Sequence, residues 1–510
     1  MASSRQTVPG FPAIRITECN DAPLQPGGRY VLYWMIAARR LSYNFALDRA
    51  LGYCRQFDKP LLILEALRCG YRWASDRVHR FVLDGMTANA LEATRRGVRY
   101  FPYIEPSPGA GCGLLETLAG AACVVITDDF PCFFLRRMVA TASKKLHVRL
   151  EAVDSNGLLP LRVASQLFTR AVDFRRFLQN ALGSYLSEPP SANPFARRSL
   201  PAPPVLRRNI TSKWPPATSS LLAGEPAALA ALPIDHSVAT TQLRGGHPSA
   251  QKLLDDFLDR KLAHYAENHN EPELDGASGL SPYLHFGHLS VHEVFTALAK
   301  REQWSPRKLQ IRATGKREGW WNMSPSAESF LDQIVTWREL GFNFCAHRQN
   351  YDQFDSLPDW ARRTLAQHAR DERRYLYTLR QFESAQTHDQ LWNAAQTQLI
   401  REGRIHNYLR MLWGKKILEW SSSPQEALAT MIHLNNKYAL DGRDPNSYSG
   451  IFWVLGRYDH PWPPERPIFG TVRYMSSENT RRKFSVQNYI RRYSPDSDPA
   501  VTARPTRNMP

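Results

Sequence analysis

The distribution of strand and helix patterns along the chain constrains its fold more than any other feature. Residues 30–153 alternate short apolar segments with helical patterns, such as those over 44–56 and 135–144. The apolar segments cover residues 30–35, 60–64, 99–103, 123–127 and 148–153. Strands that alternate with helices predict a doubly wound parallel sheet. The turn after the first strand lacks a GxGxxG pattern, so the usual dinucleotide-binding turn is not expected, and a ligand near Asp128 is left open.

Two further parts follow this α/β region. Residues 188–216 are rich in proline, which lacks the N–H that helices and central strands use, so we predict a linker there. From about residue 249 strand patterns nearly vanish and helical periodicity dominates. The predicted fold class is therefore α/β plus all-α. Its parts are a flexible tail (1–27), a doubly wound, Rossmann-like domain (28–186), a long interdomain linker (187–248), an all-helical domain (249–490) and a second flexible tail (491–510).

Charge and composition narrow the class of partner. The formal net charge is +17, which favours a polyanion, although a solvated basic surface without a partner stays possible on charge alone. No apolar run reaches the roughly 18 residues of a membrane span, and residues 1–20 lack the apolar core of a secretion signal. Seven scattered cysteines without zinc spacing predict reduced thiols, no metal site and a cytoplasmic protein, or a nuclear one in a eukaryote.

Three tryptophans, Trp392, Trp413 and Trp420, lie in one short and strongly helical stretch. Trp413 and Trp420 are nearly two helical turns apart, so they share a face at a separation of about 10 Å along the axis. Trp392 would lie on a neighbouring helix and bridge them. A lone tryptophan is more often a core residue, but three indoles in one short stretch are more than a core needs.

Residues 278–287 form a second candidate site. They combine small hydroxyl residues, Gly279 and the helix-starting Pro282. Such a turn offers N–H groups, hydroxyls and a helix dipole to a phosphate, although an ordinary capped helix start fits equally well.

Further motifs follow in a fixed order and carry a resemblance. They are Trp337-Arg338-Glu339-Leu340, the Trp392 segment, and the segments over 406–411, 434–436, 441–446 and 469–475. Over residues 28–490 the set resembles the photolyase/cryptochrome family, in particular class II cyclobutane pyrimidine dimer photolyases. The resemblance implies light-driven DNA repair by a deoxyribodipyrimidine photo-lyase, in which reduced FAD donates an electron to a pyrimidine dimer in UV-damaged DNA. It leaves a deazaflavin antenna or none open, and we expect a monomer.

The resemblance also assigns residues to the cofactor. The implied FAD-binding residues are Tyr265, Ser278, Gly279, Leu280, Ser281, Arg338, Asn407, Arg410, Asp441 and Asp444. Arg410 and Asp441 would pair beside the isoalloxazine, although a structural salt bridge is equally common. Asn435 would face flavin N5, where an amide can donate or accept, and capping a turn is its alternative. The resemblance also implies an electron relay, in which Trp413 is proximal to the flavin, Trp392 intermediate and Trp420 terminal.

At the lesion, the resemblance implies that Trp337 and Trp453 pack against the flipped-out dimer, with Asn270 and Arg473 as polar contacts. Gln333 stands where a glutamate is usual, and an amide can hydrogen-bond a dimer but cannot protonate it. His269 replaces an expected arginine, and the loop over 456–462 is unusual.

Residues 301–325 look like a basic insertion with three tryptophans, for which DNA contact and surface cover are both open. The alternatives for the whole chain are a cryptochrome-like photoreceptor and repair of the (6-4) photoproduct, which would require a histidine pair. The short polar tail after Ile490 favours the enzyme.

Overall fold

A six-stranded sheet forms the first part of the molecule in the computed structural model, which describes residues 11–196, 200–494 and 497. The strands are β1 (Ile16–Glu18), β2 (Tyr30–Met35), β3 (Leu61–Leu67), β4 (Arg99–Ile104), β5 (Ala122–Asp128) and β6 (Leu150–Val153). Their order is β1-β6-β5-β2-β3-β4, and every neighbouring pair is parallel except β1 with β6. All five predicted strands are present, and the α/β fold class with a mostly parallel sheet is confirmed.

Helices make up most of the remaining structure. In chain order they are α1 (Phe45–Phe57), α2 (Asp76–Arg95), α3 (Leu114–Ala119), α4 (Leu135–Ser143), α5 (Ala171–Ala181), α6 (Arg208–Lys213), α7 (Ser219–Leu222), α8 (Pro226–Ala230), α9 (His247–Asp256), α10 (Tyr265–Asn268), α11 (Ser281–His285), α12 (Val291–Arg301), α13 (Pro325–Leu331), α14 (Arg338–His347), α15 (Asp359–Gln367), α16 (Leu379–Glu383), α17 (Gln390–Glu402), α18 (Asn407–Trp420), α19 (Pro424–Tyr438), α20 (Pro445–Val454), α21 (Ser477–Lys483) and α22 (Gln487–Arg492). Two π-helical turns, Phe257–Lys261 and Asp332–Trp337, interrupt this pattern. No described helix combines the length and apolarity of a bilayer span.

Asp128, at the end of β5, organises the turn that follows β2. Its Oδ2 accepts N–H bonds from Ile36, Ala37 and Ala38 at 2.8, 2.7 and 3.0 Å, and its Oδ1 accepts from the Tyr33 hydroxyl at 2.8 Å. A side-chain carboxylate thus satisfies the turn N–H groups that bind a ligand phosphate in dinucleotide-binding folds. In this chain, which lacks the glycine motif, the Asp128 carboxylate therefore occupies the N–H groups that would otherwise be available to a phosphate.

The predicted flexible tails are shorter than expected. Within 1–27, β1 extends the sheet, and the buried Arg15 donates to the carbonyl of Leu158 at 2.8 Å. Within 491–510, Tyr493 is buried and its hydroxyl donates to Glu402 at 2.6 Å. Both segments are held in place because each buries a side chain, Arg15 or Tyr493, against other parts of the protein. Residues 1–10, 495–496 and 498–510 lie outside the described residues.

The predicted linker over 187–248 contains the short helices α6, α7 and α8 and packs against the α/β region. Helix α6 forms in the proline-free interval between Pro204 and Pro215, where no helix was expected. Trp214 then buries its ring, and its Nε1 donates to the carbonyl of Ala110 at 3.0 Å. Leu229 and Leu232 also join a small core with α2. Burial of these apolar side chains fixes the course of the segment over 187–248, which its proline content did not predict.

The helical core extends across the predicted boundary at residue 186. Phe174 and Leu178 of α5 belong to the same hydrophobic core as the helices after residue 249. Glu339 of α14 accepts the backbone N–H of Leu158 at 2.7 Å. Burial raises the pKa of Glu339 to about 7. The α/β region and the helical region are therefore joined by buried polar contacts as well as by apolar packing.

Candidate functional site

The three tryptophans singled out in the sequence lie on two helices that pack together. Trp392 is on α17, and Trp413 and Trp420 are on α18. Trp392 is fully buried on α17, and its Nε1 donates to the carbonyl of Trp413 at 3.0 Å. Its ring centroid lies 6.1 Å from that of Trp420, with planes at 67°. Trp413 in turn donates its Nε1 to Gln396 Oε1 at 2.9 Å. Trp392 thus contacts both tryptophans of α18, Trp413 at its backbone carbonyl and Trp420 at its ring.

The outer end of this series differs from a simple surface tryptophan. Trp420 is only 2% exposed. The exposed ring of His388 lies 4.9 Å from it, and the half-buried ring of Tyr377 lies 5.7 Å from it. Two rings that the sequence did not single out therefore separate Trp420 from solvent.

A cluster of charged and polar groups forms close to Trp413. Arg410 lies one helical turn before Trp413 on α18, and its Nη2 is 3.4 Å from both oxygens of Asp441. Burial opposes ionisation of Asp441, but Arg410, the Ser281 hydroxyl and His285 together keep its pKa below the usual value. The pair expected from the sequence is therefore formed, and it stays ionised.

Neighbouring predicted residues take defined places around this cluster. Asp444 caps α20 by accepting the N–H of Asn446 at 2.8 Å, and its Oδ2 is 3.2 Å from His285 Nδ1. The buried Asn435 on α19 donates its amide N–H groups to Ser447 at 2.8 Å and to Asn436 at 3.3 Å. No residue in the described part of the chain donates to its amide oxygen, which is thus left to accept from another group.

The segment over 278–281 enters the same cluster from the opposite side. Ser281 begins α11 and bonds to Asp441. Gly279 has φ +70°, a left-handed conformation that favours glycine, and the Ser278 hydroxyl accepts the N–H of the buried Leu280 at 3.4 Å. Asn407 begins α18 and is exposed, next to His406. Folding therefore brings together residues that lie about 160 positions apart in the chain.

Arg338 and Tyr265 are less directly connected to that cluster. Arg338 is buried, and its Nη1 donates to the carbonyl of Asn156 at 2.5 Å in the contact between the two domains. Tyr265 is buried and stacks on His269 at 4.8 Å. Of the predicted cofactor residues, these two have most of their described contacts with other parts of the protein.

Trp337 and Trp453 form an aromatic pair on a partly open face. Their ring centroids are 4.9 Å apart with planes at 21°, and both rings are half-buried. Trp337 Nε1 donates to Asp332 Oδ2 at 3.1 Å, and Arg175 of α5 holds the same carboxylate at 2.9 and 3.2 Å. The π-helical turn places Asp332 five residues before Trp337, one turn away in that geometry. Gln333 is half-buried in this turn.

Sequence reasoning assigned no role to Asp332, which lies directly before Gln333. The available signal was a carboxylate beside the position where a glutamate is usual. An α-helical spacing would not place it beside Trp337, because only the π-helical turn makes positions five apart neighbours.

The remaining predicted lesion residues lie in two places. His269 Nε2 is 2.9 Å from Asn270 Nδ2, while its Nδ1 is 2.7 Å from the carbonyl of Tyr265, so His269 orients Asn270. Arg473 is exposed, and its guanidinium lies 5.0 Å from the ring of Trp462. In the unusual loop over 456–462, Arg457 is buried between two phenylalanine rings, whereas Trp462 is 40% exposed.

A separate recess opens between the carboxyl ends of β2 and β3 and the helical domain. Its lining is mainly apolar and aromatic, with Ile36, Tyr71, Phe133, Phe134, Met138 and Phe286 among its residues. No sequence motif marked this recess, because its lining comes from separate strands, helices and loops.

Several curated proteins are similar to the chain over nearly its whole length, although no protein-family model matches it. A deoxyribodipyrimidine photo-lyase of Methanothermobacter thermautotrophicus is 32% identical, over 94% of this chain and 98% of that protein. One of Oryza sativa subsp. japonica is 34% identical, over 91% and 87%. One of Arabidopsis thaliana is 33% identical, over 96% and 94%.

The fold is also shared with a solved structure. A bacterial class III photolyase from Agrobacterium tumefaciens matches with a TM-score of 0.63 at 18% identity, over 91% of this chain and 86% of that chain. Likeness at this identity concerns the fold. Because several photo-lyases exceed 30% identity along almost the entire chain, the protein belongs to the photolyase/cryptochrome family.

Proposed function

We propose that the protein is a light-driven DNA repair enzyme that splits cyclobutane pyrimidine dimers, with reduced FAD as the electron donor. The observation that carries this proposal is that the buried Trp392 contacts Trp413 at its backbone carbonyl and Trp420 at its ring. The helix that carries Trp413 and Trp420 also carries Arg410, which pairs with Asp441. A core does not require a group of three buried indoles with an ion pair one helical turn away. Redox chemistry at a bound flavin does use both.

The residues around Asp441 fit FAD. His406 has both ring nitrogens buried without a hydrogen-bond partner among the described residues, and burial lowers its pKa to about 4, so it is a neutral ring that lacks polar contacts. Ser278 and Ser281 offer hydroxyls to phosphate oxygens, and Arg410 offers a cation. Asn435 presents its amide oxygen as an acceptor. Bound FAD in its reduced form supplies an electron after it absorbs light.

The chain's own residues then receive the lesion and shield it from water. The outer surfaces of the stacked Trp337–Trp453 pair would give extruded pyrimidines an aromatic contact that replaces lost base stacking. Asn270, held by His269, and Gln333 offer amide groups to pyrimidine carbonyls. Gln333 can only hydrogen-bond there. Repair thus depends on hydrogen bonding at this position rather than on proton donation by it.

The tryptophan series serves a different step. Trp392, Trp413 and Trp420 would return an oxidised flavin to its reduced form and take no part in dimer splitting itself. Return of the electron from the split pyrimidines would leave no net redox change. The rings of Tyr377 and His388 lie between Trp420 and external reductants.

An antenna chromophore such as a deazaflavin would bind in the recess lined by Tyr71, Phe133 and Phe134. Flat aromatic ligands suit a mainly apolar and aromatic lining. The recess also borders His285, which contacts Asp444 in the proposed FAD site, so a short path for energy transfer is available.

Repair of the (6-4) photoproduct is the second candidate, because of one observation. His269 lies close enough to His406 to contribute to the lowering of the pKa of His406, after burial as the main cause. His269 and His406 are thus electrostatic neighbours, and His269 also contacts Asn270. The stacked Trp337–Trp453 wall serves either lesion, so only assays on both lesions separate the two functions.

The test uses purified protein with fully reduced FAD and two duplexes, one with a thymine dimer and one with a (6-4) photoproduct. We expect blue light to restore thymines in the first duplex, as measured by chromatography of the digested DNA. Repair of only the second duplex would favour the alternative, and repair of neither would contradict both. The absorption spectrum of the released chromophores tests the flavin and the antenna together.

A further inference from the structure

Residues 305–322, called here the basic lobe, belong to the insertion-like segment that the proposed function leaves without a role. The lobe contains five cationic residues and one acidic residue. The cationic side chains of Arg307, Lys308, Arg312, Lys316 and Arg317 are all exposed. Its charge is therefore directed outward rather than used in the core.

The tryptophans of this segment have the opposite orientation. Trp320 and Trp321 are buried, and Trp304 donates its Nε1 to the carbonyl of Trp321 at 2.6 Å. Phe295 of α12 packs against Trp304 and Trp321 with centroid distances of 5.4 and 5.5 Å. These rings anchor the lobe, so they are not available to stack on bases.

Backbone contacts fix the lobe to α5. Gln179 Oε1 accepts the N–H of Gly315 at 2.8 Å, and Gln179 Nε2 donates to the carbonyl of Lys316 at 2.9 Å. Arg175 also donates to the carbonyl of Gly315 at 3.3 Å. A surface held in place in this way can present charges at fixed positions, which reduces the entropy lost on binding.

The lobe also adjoins the aromatic pair. Arg317 Nε lies 4.0 Å from Asp332 Oδ2, the same oxygen that accepts from Trp337 Nε1. Asp332 is already held by Arg175 at two positions. In the described part of the chain, Lys308, Arg312 and Lys316 form no ion pair with an acidic side chain. Their charges are thus free to meet another anion next to the lesion face.

We propose that the basic lobe binds backbone phosphates of the duplex on the flank of the lesion nearest Trp337. The proposal rests on the proposed function, because it takes the Trp337–Trp453 face as the place where the lesion enters. Phosphates match exposed and unpaired lysine and arginine side chains in charge and geometry. A contact of this kind contributes affinity and orientation without reading the base sequence.

The test is the salt dependence of DNA binding by the FAD-loaded protein and its Lys308→Glu/Arg312→Glu/Lys316→Glu variant. Each lost phosphate contact lowers the slope of log affinity against log salt by about 0.9, so we expect a decrease of roughly 2 to 3. A control variant, Arg95→Glu/Arg99→Glu/Lys144→Glu, changes the net charge equally at exposed positions in the α/β domain. Its slope should stay close to that of the unmodified protein. Equal slopes for the two variants would overturn the proposal.

A second measurement locates the contact. Two duplexes carry the dimer close to one end or close to the other, so only one of them supplies DNA on the flank that faces the lobe. The affinity difference between the lobe variant and the unmodified protein should occur with one duplex alone. A difference with both, or with neither, would contradict a contact on one flank.

Light-driven repair at saturating DNA separates this proposal from the proposed function. The lobe variant should repair at the unmodified rate, because its altered residues lie outside the lesion face, and a loss of repair at saturation would overturn the lobe's assignment. If the unmodified protein repairs nothing, the proposed function fails, while the salt slopes still report on the lobe. The milder variant Lys308→Gln/Arg312→Gln/Lys316→Gln should also lower the salt slope. The FAD absorbance of each variant shows that it is folded.

Discussion

Two groups of tryptophans in the helical domain are held in opposite ways. Trp392, Trp413 and Trp420 are at most 2% exposed, and neutral hydrogen bonds to a carbonyl and to Gln396 orient two of them. Trp337 and Trp453 are half-buried, and the charged Arg175–Asp332 pair holds the first of them. Dense neutral packing suits electron transfer, because little has to reorganise. An open face with a fixed edge suits binding of an extruded base.

The largest effect is expected from Trp413→Phe. The change removes the indole next to the Arg410–Asp441 cluster, and phenylalanine is much harder to oxidise than tryptophan. Light-driven reduction of oxidised FAD should be abolished, as followed by the loss of flavin absorbance under blue light with an external reductant. Protein that already holds reduced FAD should still repair dimers. Trp320→Phe, a buried tryptophan outside the series, is the control. Normal photoreduction in Trp413→Phe would exclude the relay.

Asp332→Ala should have the next largest effect. It leaves the buried Arg175 guanidinium without its partner, which costs about 3–5 kcal/mol of stability by denaturant unfolding. It also frees the Trp337 indole, so dimer binding should weaken. Arg175→Met combined with Asp332→Leu should recover much of the stability but not the binding. Asp259→Ala, at an exposed ion pair, should change stability by less than about 1 kcal/mol. An equally small effect of Asp332→Ala would show that the Arg175–Asp332 pair does not hold Trp337 in place.

Trp453→Ala tests the wall by removing one of its two rings. Stacking of a base on an aromatic ring contributes about 1–3 kcal/mol, so the Kd for dimer-containing duplex should rise roughly 10- to 100-fold. Fluorescence anisotropy with labelled duplexes measures this change. Binding of undamaged duplex by the same variant should stay nearly constant, since intact bases remain stacked in the helix. A parallel loss for both duplexes would mean that Trp453 acts on folding rather than on the lesion.

The smallest effect concerns Lys415, which connects the two regions. It lies on α18 between the relay tryptophans, and its ammonium donates to the carbonyl of Val454, next to Trp453. Burial lowers its pKa from 10.5 to about 7. The unfolded chain therefore binds more protons between pH 7 and about 10, and stability should rise with pH across that window.

The matched measurement is thermal unfolding of Lys415→Met at pH 6 and pH 9. The variant should gain stability over the unmodified protein at pH 6, where Lys415 is charged in both states and its burial is costly. That gain should shrink at pH 9, where the folded amine is neutral. Lys144→Met, at an exposed lysine, should show no such pH dependence. A pH-independent difference for Lys415→Met would contradict the shifted pKa.

The sequence predicted the strands well because the pattern that defines them is local. Residues 30–35 read as a strand and form β2 with those bounds, and α1 begins after Asn44, whose side chain caps it. The expectation that Trp413 and Trp420 lie on one helix also came from a local pattern, since helical periodicity fixes which side chains share a face. Trp392 lies on another helix, so its position depends on tertiary packing. The roles of the predicted site residues stay predictions.

Prediction from sequence was weaker where packing overrides composition. Eight prolines predicted a linker without helices over 188–216. Instead α6 forms in the interval without proline, and Trp214 is buried and bonds to Ala110. Arg15 was assigned to a tail, but its guanidinium reaches Leu158. In both segments the decisive contact joins residues more than 100 positions apart, and no local pattern records such a contact.

The sequence by itself determined the order of the elements, the basic charge and the set of motifs that identify the family. These properties depend on residue type and short spacing. Only the tertiary structure decided that Ser281 meets Asp441, that Arg175 holds the carboxylate beside Trp337, and that the basic lobe turns its tryptophans inward. Those outcomes depend on how separate helices pack. A buried charge without a partner is costly, and packing decides which partner is within reach.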